Sequence, residues 1–322
     1  MLAFNDLLTA IKEKQNILFV CHKNPDPDTI GSALALGRFA ESLGKKTEYF
    51  CVHKIPENFL LLDRINDFSQ DEKVFLKERD LTIFLDCAEK SRCGIGGIKR
   101  PRGQMWINID HHIFKEKFAD IEIRDPDASA TAEIIYDFFL HGRVSIDSRT
   151  ATALLSGILL DTRFLSNAAT TAKSIKIAGE LVALGADYRK ILAAFHLNKS
   201  EDALRLWGEA LSRLKYDEGK GLVTTAIFMD DVKSDELLLE EAISGLSGFL
   251  NAVLRAEIVM VLQEIENVVR GSLRTASDNV NVAKIAEEYG GGGHQKVGTC
   301  QVDNDRAEKV EQELIEIILK DG

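Results

Sequence analysis

The segment ILFVCHKNPDPDTIGSALALGRFAESLG, residues 17–44, predicts the fold class and contains the first group of candidate metal ligands. It begins with an apolar run typical of a buried strand and ends with the spacing of an amphipathic helix. Between the two, His22, Asp26 and Asp28 lie on a turn that two prolines stiffen, so little conformational entropy is lost when ligands bind. A polar turn between a strand and a helix is typical of an α/β protein with a site at a strand end.

The same alternation continues through the first half of the chain. Further strands are predicted at 47–52, 81–87 and 106–112, and helices at 129–140, 148–160 and 169–184. Short apolar strands that alternate with amphipathic helices favour a mostly parallel sheet with helices on both faces. Such sheets bind ligands beyond the carboxyl ends of their strands. The polar residues that end these strands are therefore candidate site residues.

The second half of the chain predicts a smaller α/β unit. A chain of 322 residues exceeds what one hydrophobic core usually organises. A break between helical segments near residue 198 separates 1–198 from 199–322. In the second part, strands are predicted at 222–228, 257–265 and 268–275, and helices at 235–252, 281–289 and 304–320.

Acidic and imidazole side chains end several predicted elements of the first half. Asp86 ends the third predicted strand, Asp110, His111 and His112 end the fourth, and Asp161 ends an apolar helix. A carboxylate at the end of an apolar strand is costly unless it is paired, and the helix dipole disfavours one at a helix C-terminus. Each residue alone has a simpler interpretation as a cap, a salt-bridge partner or a turn residue. A cation at this edge would explain them together.

Charge arithmetic indicates how many cations fit. Asp26, Asp28, Asp86 and Asp161 carry four negative charges, and two divalent metal ions carry four positive ones. Without metal, carboxylates this close would repel each other and some would take up protons. Two histidines with oxygen ligands and no thiolate fit Mn²⁺ best, with Mg²⁺ or Co²⁺ as competitors.

Composition excludes several classes of protein. The formal net charge of −11 argues against broad binding to duplex DNA, which needs a basic surface. Five cysteines without a CxxC pair predict a reducing compartment, no disulfide framework and no zinc–thiolate site. The first residues lack the features of a secretory signal, and no apolar run is long enough to cross a bilayer. We therefore expect a cytoplasmic protein without membrane partners, and leave a homodimer open.

Six motifs, in their order along the chain, resemble those of the DHH phosphoesterase superfamily and its DHHA1 domain. They are HKNPDPDTIGS at 22–32, LDC at 85–87, DHH at 110–112, LLDT at 159–162, GSLRT at 271–275 and GGGGH at 290–294. The resemblance covers nearly the whole chain and is strongest to the nanoRNase (oligoribonuclease) and pAp-phosphatase branch. It implies a DHH metal-binding catalytic domain at 1–198, a DHHA1 substrate-binding domain at 199–322, and an active site in the cleft between them.

The resemblance also implies a role for each site residue of the first domain. Two divalent metals would be bound by His22 and Asp26 on one side, by Asp28, His111 and Asp161 on the other, and by Asp86 as the bridge. His112 would face the phosphate as a positive or proton-donating group. Asp110 would orient the neighbouring motif. Both are expected to contribute to catalysis.

In the second domain, a run of glycines lets a backbone approach a phosphate or base closely, because no Cβ intervenes. The candidate substrate-binding residues are Arg255, Arg274, Gly291, Gly292, Gly293 and His294. Arg270 is also nearby, with the simpler interpretation of a solvated charge at a strand edge. After GGGGH the sequence departs from the family pattern, so Val297 and Thr299 are expected to alter the nucleotide pocket.

We therefore expect an enzyme that hydrolyses short single-stranded oligonucleotides, the 3′-phosphate of pAp, or both, through a metal-activated water. Two alternatives remain open. The same centre would also suit another phosphohydrolase of this superfamily, acting on pyrophosphate or on linear or cyclic dinucleotides. A catalytically silent nucleotide-binding protein is the third interpretation, although the intact ligand set argues against it.

Overall fold

The computed structural model describes residues 3–77, 79–98, 100–112, 116–195, 200–231, 245–254, 256–265, 268–277, 279–303 and 305–321. The chain divides into two compact units, Met1–Asn198 and Lys199–Gly322. Each is an α/β structure built on a six-stranded sheet. None of the helices in the described ranges combines the length and the apolar character that crossing a membrane requires.

The first unit alternates strands and helices as the sequence predicts. Its strands are β1 (Asn16–Cys21), β2 (Lys46–Phe50), β3 (Phe68–Ser69), β4 (Leu81–Leu85), β5 (Met105–Asp110) and β6 (Ile121–Arg124). Its α-helices within the described residues are α1 (Phe4–Glu13), α2 (Pro27–Ser42), α3 (Thr131–Gly142), α4 (Ser148–Asp161), α5 (Ala172–Ala183) and α6 (Tyr188–Phe195).

The sheet of the first unit is parallel throughout, with the strand order β3-β2-β1-β4-β5-β6. The order reverses between β1 and β4, which is where open α/β sheets place their ligands. Two short edge strands, β3 and β6, add to the predicted set. Asp86 therefore follows the fourth strand and Asp110 ends the fifth, rather than the third and fourth as the sequence predicts.

The two faces of this sheet are covered differently. Residues Ile17 and Phe19 of β1 face a core cluster that includes side chains from α1 to α6. Leu18 and Val20 face a second cluster, in which the short 3₁₀ helices Glu72–Leu76 and Lys90–Cys93 and adjacent loops supply the covering side chains. The helices on this second face are thus shorter than the α-helices expected from the sequence.

A close approach of α2 and α4 positions the acidic residues at one edge of the sheet. A Cβ on Gly31 would lie 2.2 Å from the carbonyl oxygen of Ala153, and a Cβ on Gly157 would lie 2.5 Å from Oδ1 of Asp28. Only glycine fits at such contacts. Gly157 lies one turn before Asp161, so the contact brings Asp28 and Asp161 to the same end of the helix pair.

The second unit has a mostly antiparallel sheet with the order β11-β12-β10-β9-β8-β7, in which β8 and β9 are the one parallel pair among the described residues. The strands are β7 (Lys215–Asp217), β8 (Leu222–Phe228), β9 (Ile258–Ile265), β10 (Val268–Arg274), β11 (Gly292–His294) and β12 (Val297–Asp303). The described helices are α7 (Glu201–Ser212), α8 (Leu246–Val253), α9 (Val282–Glu287) and α10 (Ala307–Asp321). The first part of the helix predicted at 235–252 lies outside the described residues.

Helices pack on both faces of this second sheet. One apolar cluster joins α7 and α8 to β8 and β9. The other joins α9 and α10 to the opposite face. The unit therefore has cores of its own.

Candidate metal centre

The predicted ligands of the first unit come together at the carboxyl edge of its sheet. His22 follows β1 and Asp86 follows β4, the two strands that flank the reversal in strand order. Both side chains are almost completely buried. Asp86 has a φ of 59°, in the left-handed region that few residues other than glycine adopt. This conformation turns the chain sharply at the strand end. A carboxylate at the end of an apolar strand is costly unless it is paired.

One carboxylate oxygen of Asp26 caps the helix after the turn, and the other faces the site. Its Oδ1 accepts hydrogen bonds from the backbone N–H groups of Asp28 and Thr29, each at 3.0 Å, and so caps α2. Its Oδ2 lies 3.4 Å from Nε2 of His22. The simpler interpretation of Asp28 as a helix cap does not apply, because Pro27 occupies the first helical position and Asp26 precedes it.

Asp28 is fully buried and links α2 to α3. Its Oδ2 accepts from the backbone N–H of Thr131 at 2.7 Å, and its Oδ1 accepts from that of Ala132 at 2.8 Å. These two groups begin α3, where the helix dipole favours a negative charge. Two such bonds hold the carboxylate in a fixed orientation.

Asp86 lies at the centre of the group. Its Oδ2 is 3.2 Å from Nε2 of His22, and its Oδ1 is 3.5 Å from Nε2 of His111. The hydroxyl of Thr131 donates to the same Oδ1 at 3.1 Å. On the far side, Nε2 of His111 lies 3.1 Å from Oδ2 of Asp161. One carboxylate thus faces both histidines.

Three overlapping sets of side chains present ligand atoms within 4.8 Å of one another. The sets are His22, Asp26 and Asp86; Asp28, His111 and Asp161; and Asp86, His111 and His112. Imidazole nitrogen and carboxylate oxygen without thiolate form a donor set suited to divalent ions such as Mn²⁺. Two of these sets share Asp86, and a shared carboxylate of this kind suits two neighbouring cations.

The orientation of the two histidines suits a bound cation. Nδ1 of His22 lies 2.7 Å from the carbonyl oxygen of Lys23, and Nδ1 of His111 lies 3.3 Å from that of Ala128. A carbonyl only accepts, so each Nδ1 carries a hydrogen, and in its neutral form each ring turns the lone pair of Nε2 towards carboxylates. Both Nε2 atoms are buried and, within the described part of the chain, no hydrogen-bond donor reaches their lone pairs. A lone pair facing carboxylate oxygens requires a cation or a proton between them.

The carboxylates of the site have displaced pKa values. Burial, together with the charges of Asp161 and Asp86, raises the pKa of Asp28 well above its usual range. Burial also raises the pKa of Asp161 to about 6, although a hydrogen bond from His111 opposes the change. Burial acts in the same direction on Asp86, but hydrogen bonds from His112 and His22 hold its pKa well below the usual range. The cluster needs added positive charge to keep all its carboxylates ionised.

The neighbouring carboxylates raise the pKa values of the two histidines. Burial alone would lower the pKa of His22, but hydrogen bonds to Asp26 and Asp86 raise it to about 12. The same balance, with Asp161 as the first partner, raises the pKa of His111 to about 10. The protonated forms of the two histidines thus offset the repulsion between the carboxylates. Divalent cations would supply the same charge and displace these protons.

His112 is held beside the centre by Asp110. Oδ1 of Asp110 accepts from the backbone N–H of His112 at 3.0 Å and lies 2.9 Å from its Nδ1. Oδ2 of the same carboxylate accepts from Nη1 of Arg124 at 3.2 Å. Burial would lower the pKa of His112, but its hydrogen bonds to Asp110 and Asp86 raise it to about 9. The ring is fixed in orientation and favours the protonated form.

Three residues near the site were not predicted from the sequence. Thr131 donates to Asp86, Arg124 pairs with Asp110, and Thr29 donates from its hydroxyl to the carbonyl of Leu85 at 2.8 Å. Arg124 lies directly beside Asp110 on neighbouring parallel strands, but the strand that carries it, β6, was not predicted, so no sequence signal pointed to the pair. The threonines begin helices, where a hydroxyl normally indicates a cap.

The predicted substrate-binding residues lie in the second unit. Arg274 ends β10, and its Nη1 donates to the carbonyl of Leu273 at 3.1 Å. A Cβ on Gly291 or Gly293 would lie 2.0 Å from a backbone oxygen, that of Thr299 or Val297. These two glycines are therefore required by close packing of the chain on itself. Arg255 lies outside the described residues, and His294 is placed only as the last residue of β11.

Comparison with known proteins identifies relatives along most of the chain. Residues 16–158 match the DHH family, N-terminal domain, and residues 208–320 match the DHHA1 domain. The bifunctional oligoribonuclease and PAP phosphatase NrnA of Thermus thermophilus is 31% identical over 278 residues, covering 86% of this chain and 81% of that protein. The protein of the same name from Bacillus subtilis is 25% identical over 292 residues, covering 90% of each chain.

A solved structure has the same fold. An exopolyphosphatase-related protein from Bacteroides fragilis aligns with a TM-score of 0.87 at 22% identity, covering 98% of this chain and 95% of that chain. The likeness concerns the fold alone.

Proposed function

We propose, because this chain belongs to the DHH family of phosphoesterases and carries a DHHA1 domain, that it hydrolyses short single-stranded oligonucleotides and the 3′-phosphate of pAp. The observation that carries this proposal is the pair of buried histidine Nε2 atoms directed at carboxylates from three different segments. The relatives named as oligoribonuclease and PAP phosphatase support the choice of substrates.

The side chains of the centre offer the imidazole nitrogen and carboxylate oxygen donors that two divalent ions would need. His22 and Asp26 would contact one ion, Asp28, His111 and Asp161 the other, and Asp86 both. Mn²⁺ suits these nitrogen and oxygen donors best. Bound divalent ions supply positive charge that polarises a phosphoryl group and lowers the pKa of water.

The protein's own groups would complete the reaction. We assign the protonated His112 the role of donating a hydrogen bond to a phosphoryl oxygen, where negative charge grows in the transition state. Asp110 is a positioning residue, because it fixes the ring of His112 and keeps its proton on the correct nitrogen. A group held in place before the reaction loses no entropy at the moment of attack.

The two units would have separate roles. Unit Met1–Asn198 contains the candidate metal centre and would carry the catalysis, and unit Lys199–Gly322 would bind the nucleotide. Its predicted contacts are Arg274, the glycine run and His294. Arg255 remains part of the proposal from sequence alone.

A substrate panel tests the proposed function. The purified chain with Mn²⁺ is incubated with pAp, linear dinucleotides, cyclic dinucleotides and pyrophosphate, and turnover is compared. We expect the highest kcat/KM on pAp or linear dinucleotides. Preferred turnover of pyrophosphate or cyclic dinucleotides would contradict the proposal and support another phosphohydrolase, and binding without any turnover would indicate a silent nucleotide-binding protein.

A further inference from the structure

A short segment at the start of α3, residues Ala128–Ala132, contacts several candidate metal ligands without being a ligand itself. The carbonyl oxygen of its first residue lies 3.3 Å from Nδ1 of His111. The backbone N–H groups of its last two residues donate to the two carboxylate oxygens of Asp28, at 2.7 and 2.8 Å. The orientation of both ligands therefore depends on where this segment lies.

The third contact of the segment falls on the same side of the centre. The hydroxyl of Thr131 donates to Oδ1 of Asp86 at 3.1 Å. That oxygen lies 3.5 Å from Nε2 of His111, whereas Oδ2 of the same carboxylate faces His22 at 3.2 Å. The segment thus supports the donor atoms on the His111 side of the centre.

Glu133 fixes this segment from the first turn of α3. Its Oε2 accepts hydrogen bonds from the backbone N–H of Ser129 at 3.1 Å and from the hydroxyl of that residue at 2.6 Å. Its Oε1 lies 3.0 Å from Nζ of Lys173 on α5. Glu133 is not among the side chains that form the three ligand sets of the described residues. Any effect on the metal centre would therefore pass through the segment.

The burial of Glu133 exceeds what a helix cap requires. A glutamate in the first turn normally caps the helix and interacts favourably with its dipole, and an exposed side chain can do both. The side chain of Glu133 is only 1% exposed. Moving a charged pair out of water costs free energy that the attraction between the charges often fails to recover. Stability alone is thus a poor explanation for this buried carboxylate.

We propose that Glu133 is a positioning residue for the metal ion that Asp28, His111 and Asp161 would hold. This inference rests on the proposed function, whose metal centre it concerns. The buried carboxylate fixes the backbone of Ala128–Ala132, and that backbone orients the ring of His111 and the carboxylate of Asp28 before an ion binds. The other ion, beside His22, receives no such support from the contacts of this segment.

Mn²⁺ binding to the full chain tests the proposal without turnover. Titration calorimetry gives the Kd of each bound ion for the wild type and for Glu133→Ala. Loss of a group that orients ligands typically weakens metal binding about 10- to 100-fold, and we expect this loss for one ion. The Kd of the other ion should stay within about twofold of the wild type.

Two further variants separate positioning from loss of a charge. Glu133→Gln keeps a side-chain oxygen that can accept from Ser129, so its loss of Mn²⁺ affinity should be smaller than that of Glu133→Ala. Asp137→Asn is the matched control, because Asp137 lies one turn further along α3 and pairs with the same Lys173, at 2.6 Å. Both Kd values of this control should equal those of the wild type.

A double variant identifies the ion that is affected. Asp161→Asn removes a ligand on the His111 side and should leave the ion beside His22. Addition of Glu133→Ala to this variant should not change the Kd of the remaining ion, because the contacts of the segment lie on the other side. A further loss of affinity in the double variant would overturn the assignment of Glu133 to one ion.

The outcomes also separate this inference from a structural role and from the proposed function. A Glu133→Ala variant that is less stable but binds both ions with wild-type Kd values would overturn the inference. If that variant does not fold, Ser129→Ala and Glu133→Gln replace it, and wild-type Mn²⁺ affinity in both would have the same consequence. A wild type that binds two ions but hydrolyses none of the proposed substrates would refute the proposed function alone, whereas a wild type without Mn²⁺ binding would overturn the inference.

Discussion

Gly157 of α4 lies against Asp28 so closely that a Cβ on the glycine would be 2.5 Å from Oδ1 of the carboxylate. The contact couples packing of two helices to the position of a candidate metal ligand. Asp28 cannot move aside without breaking the hydrogen bonds that two backbone N–H groups of α3 donate to its oxygens. A single methyl group added at Gly157 would therefore displace a candidate metal ligand by disturbing the packing of the helices.

The variant Gly157→Ala should lose metal affinity as well as stability. Added carbon at this contact forces a shift of α2 or of Asp28, at a cost of about 1–3 kcal/mol in the free energy of unfolding. Chemical denaturation and Mn²⁺ titration measure the two effects. Gly179→Ala is the control, because Gly179 lies in helix α5 with no atom near its missing Cβ. That variant should be as stable as the wild type or more stable, and equal Mn²⁺ affinity in both variants would contradict this account.

Replacement of His112 by alanine should reduce kcat without loss of metal. The ring is expected to donate a hydrogen bond to the phosphoryl group, a contribution of about 10²–10³ in rate. Activity on pAp and the Mn²⁺ content per chain are measured on the same preparation. Wild-type kcat in His112→Ala would remove the residue from the mechanism. Loss of one Mn²⁺ would show that His112 is a ligand instead.

Asp110→Asn tests the positioning of that ring. The amide cannot hold Nδ1 of His112 as a charged acceptor does, so we expect kcat to fall about 10- to 100-fold with KM and Mn²⁺ content unchanged. Arg124 loses its partner as well, and the thermal midpoint is therefore recorded alongside. Asp127→Asn, an exposed carboxylate in the same domain, provides the control. An unchanged kcat in Asp110→Asn would leave His112 without a positioning residue.

Metal removal should lower the thermal stability of the first unit. An ion that binds only the folded chain adds about 2.7 kcal/mol at a hundredfold excess over its Kd, which raises Tm by about 5 °C or more in a unit of this size. Scanning calorimetry with Mn²⁺ or EDTA measures the difference. In Asp161→Asn most of the increase should disappear, whereas Asp127→Asn should keep it. An equal increase in both variants would exclude Asp161 from the centre.

Much of the first unit was predictable because its strands are apolar runs and its helices are amphipathic. The candidate ligands could be identified because polar residues end those strands, and a parallel sheet brings such ends to one edge. The edge strands β3 and β6 were not predicted, since two to four residues carry too short a pattern. The role of Asp26 as the cap of α2 was also not identified, because Asp28 flanks Pro27 as well and has the same carboxylate.

The strands β11 and β12 of the second unit were not predicted for another reason. Two of the three residues of β11 are glycines, and β12 contains Gly298, so both lack a clear apolar pattern. Contacts between distant segments decide such strands, and spacing along one segment does not reveal them.

Anomalous diffraction from crystals soaked in Mn²⁺ tests the central claim most directly. We predict two peaks in the first unit, one in contact with Nε2 of His22 and the other with Nε2 of His111, with Asp86 contacting both. Mn²⁺ bound elsewhere on the chain, with no peak within coordination distance of either nitrogen, would contradict it.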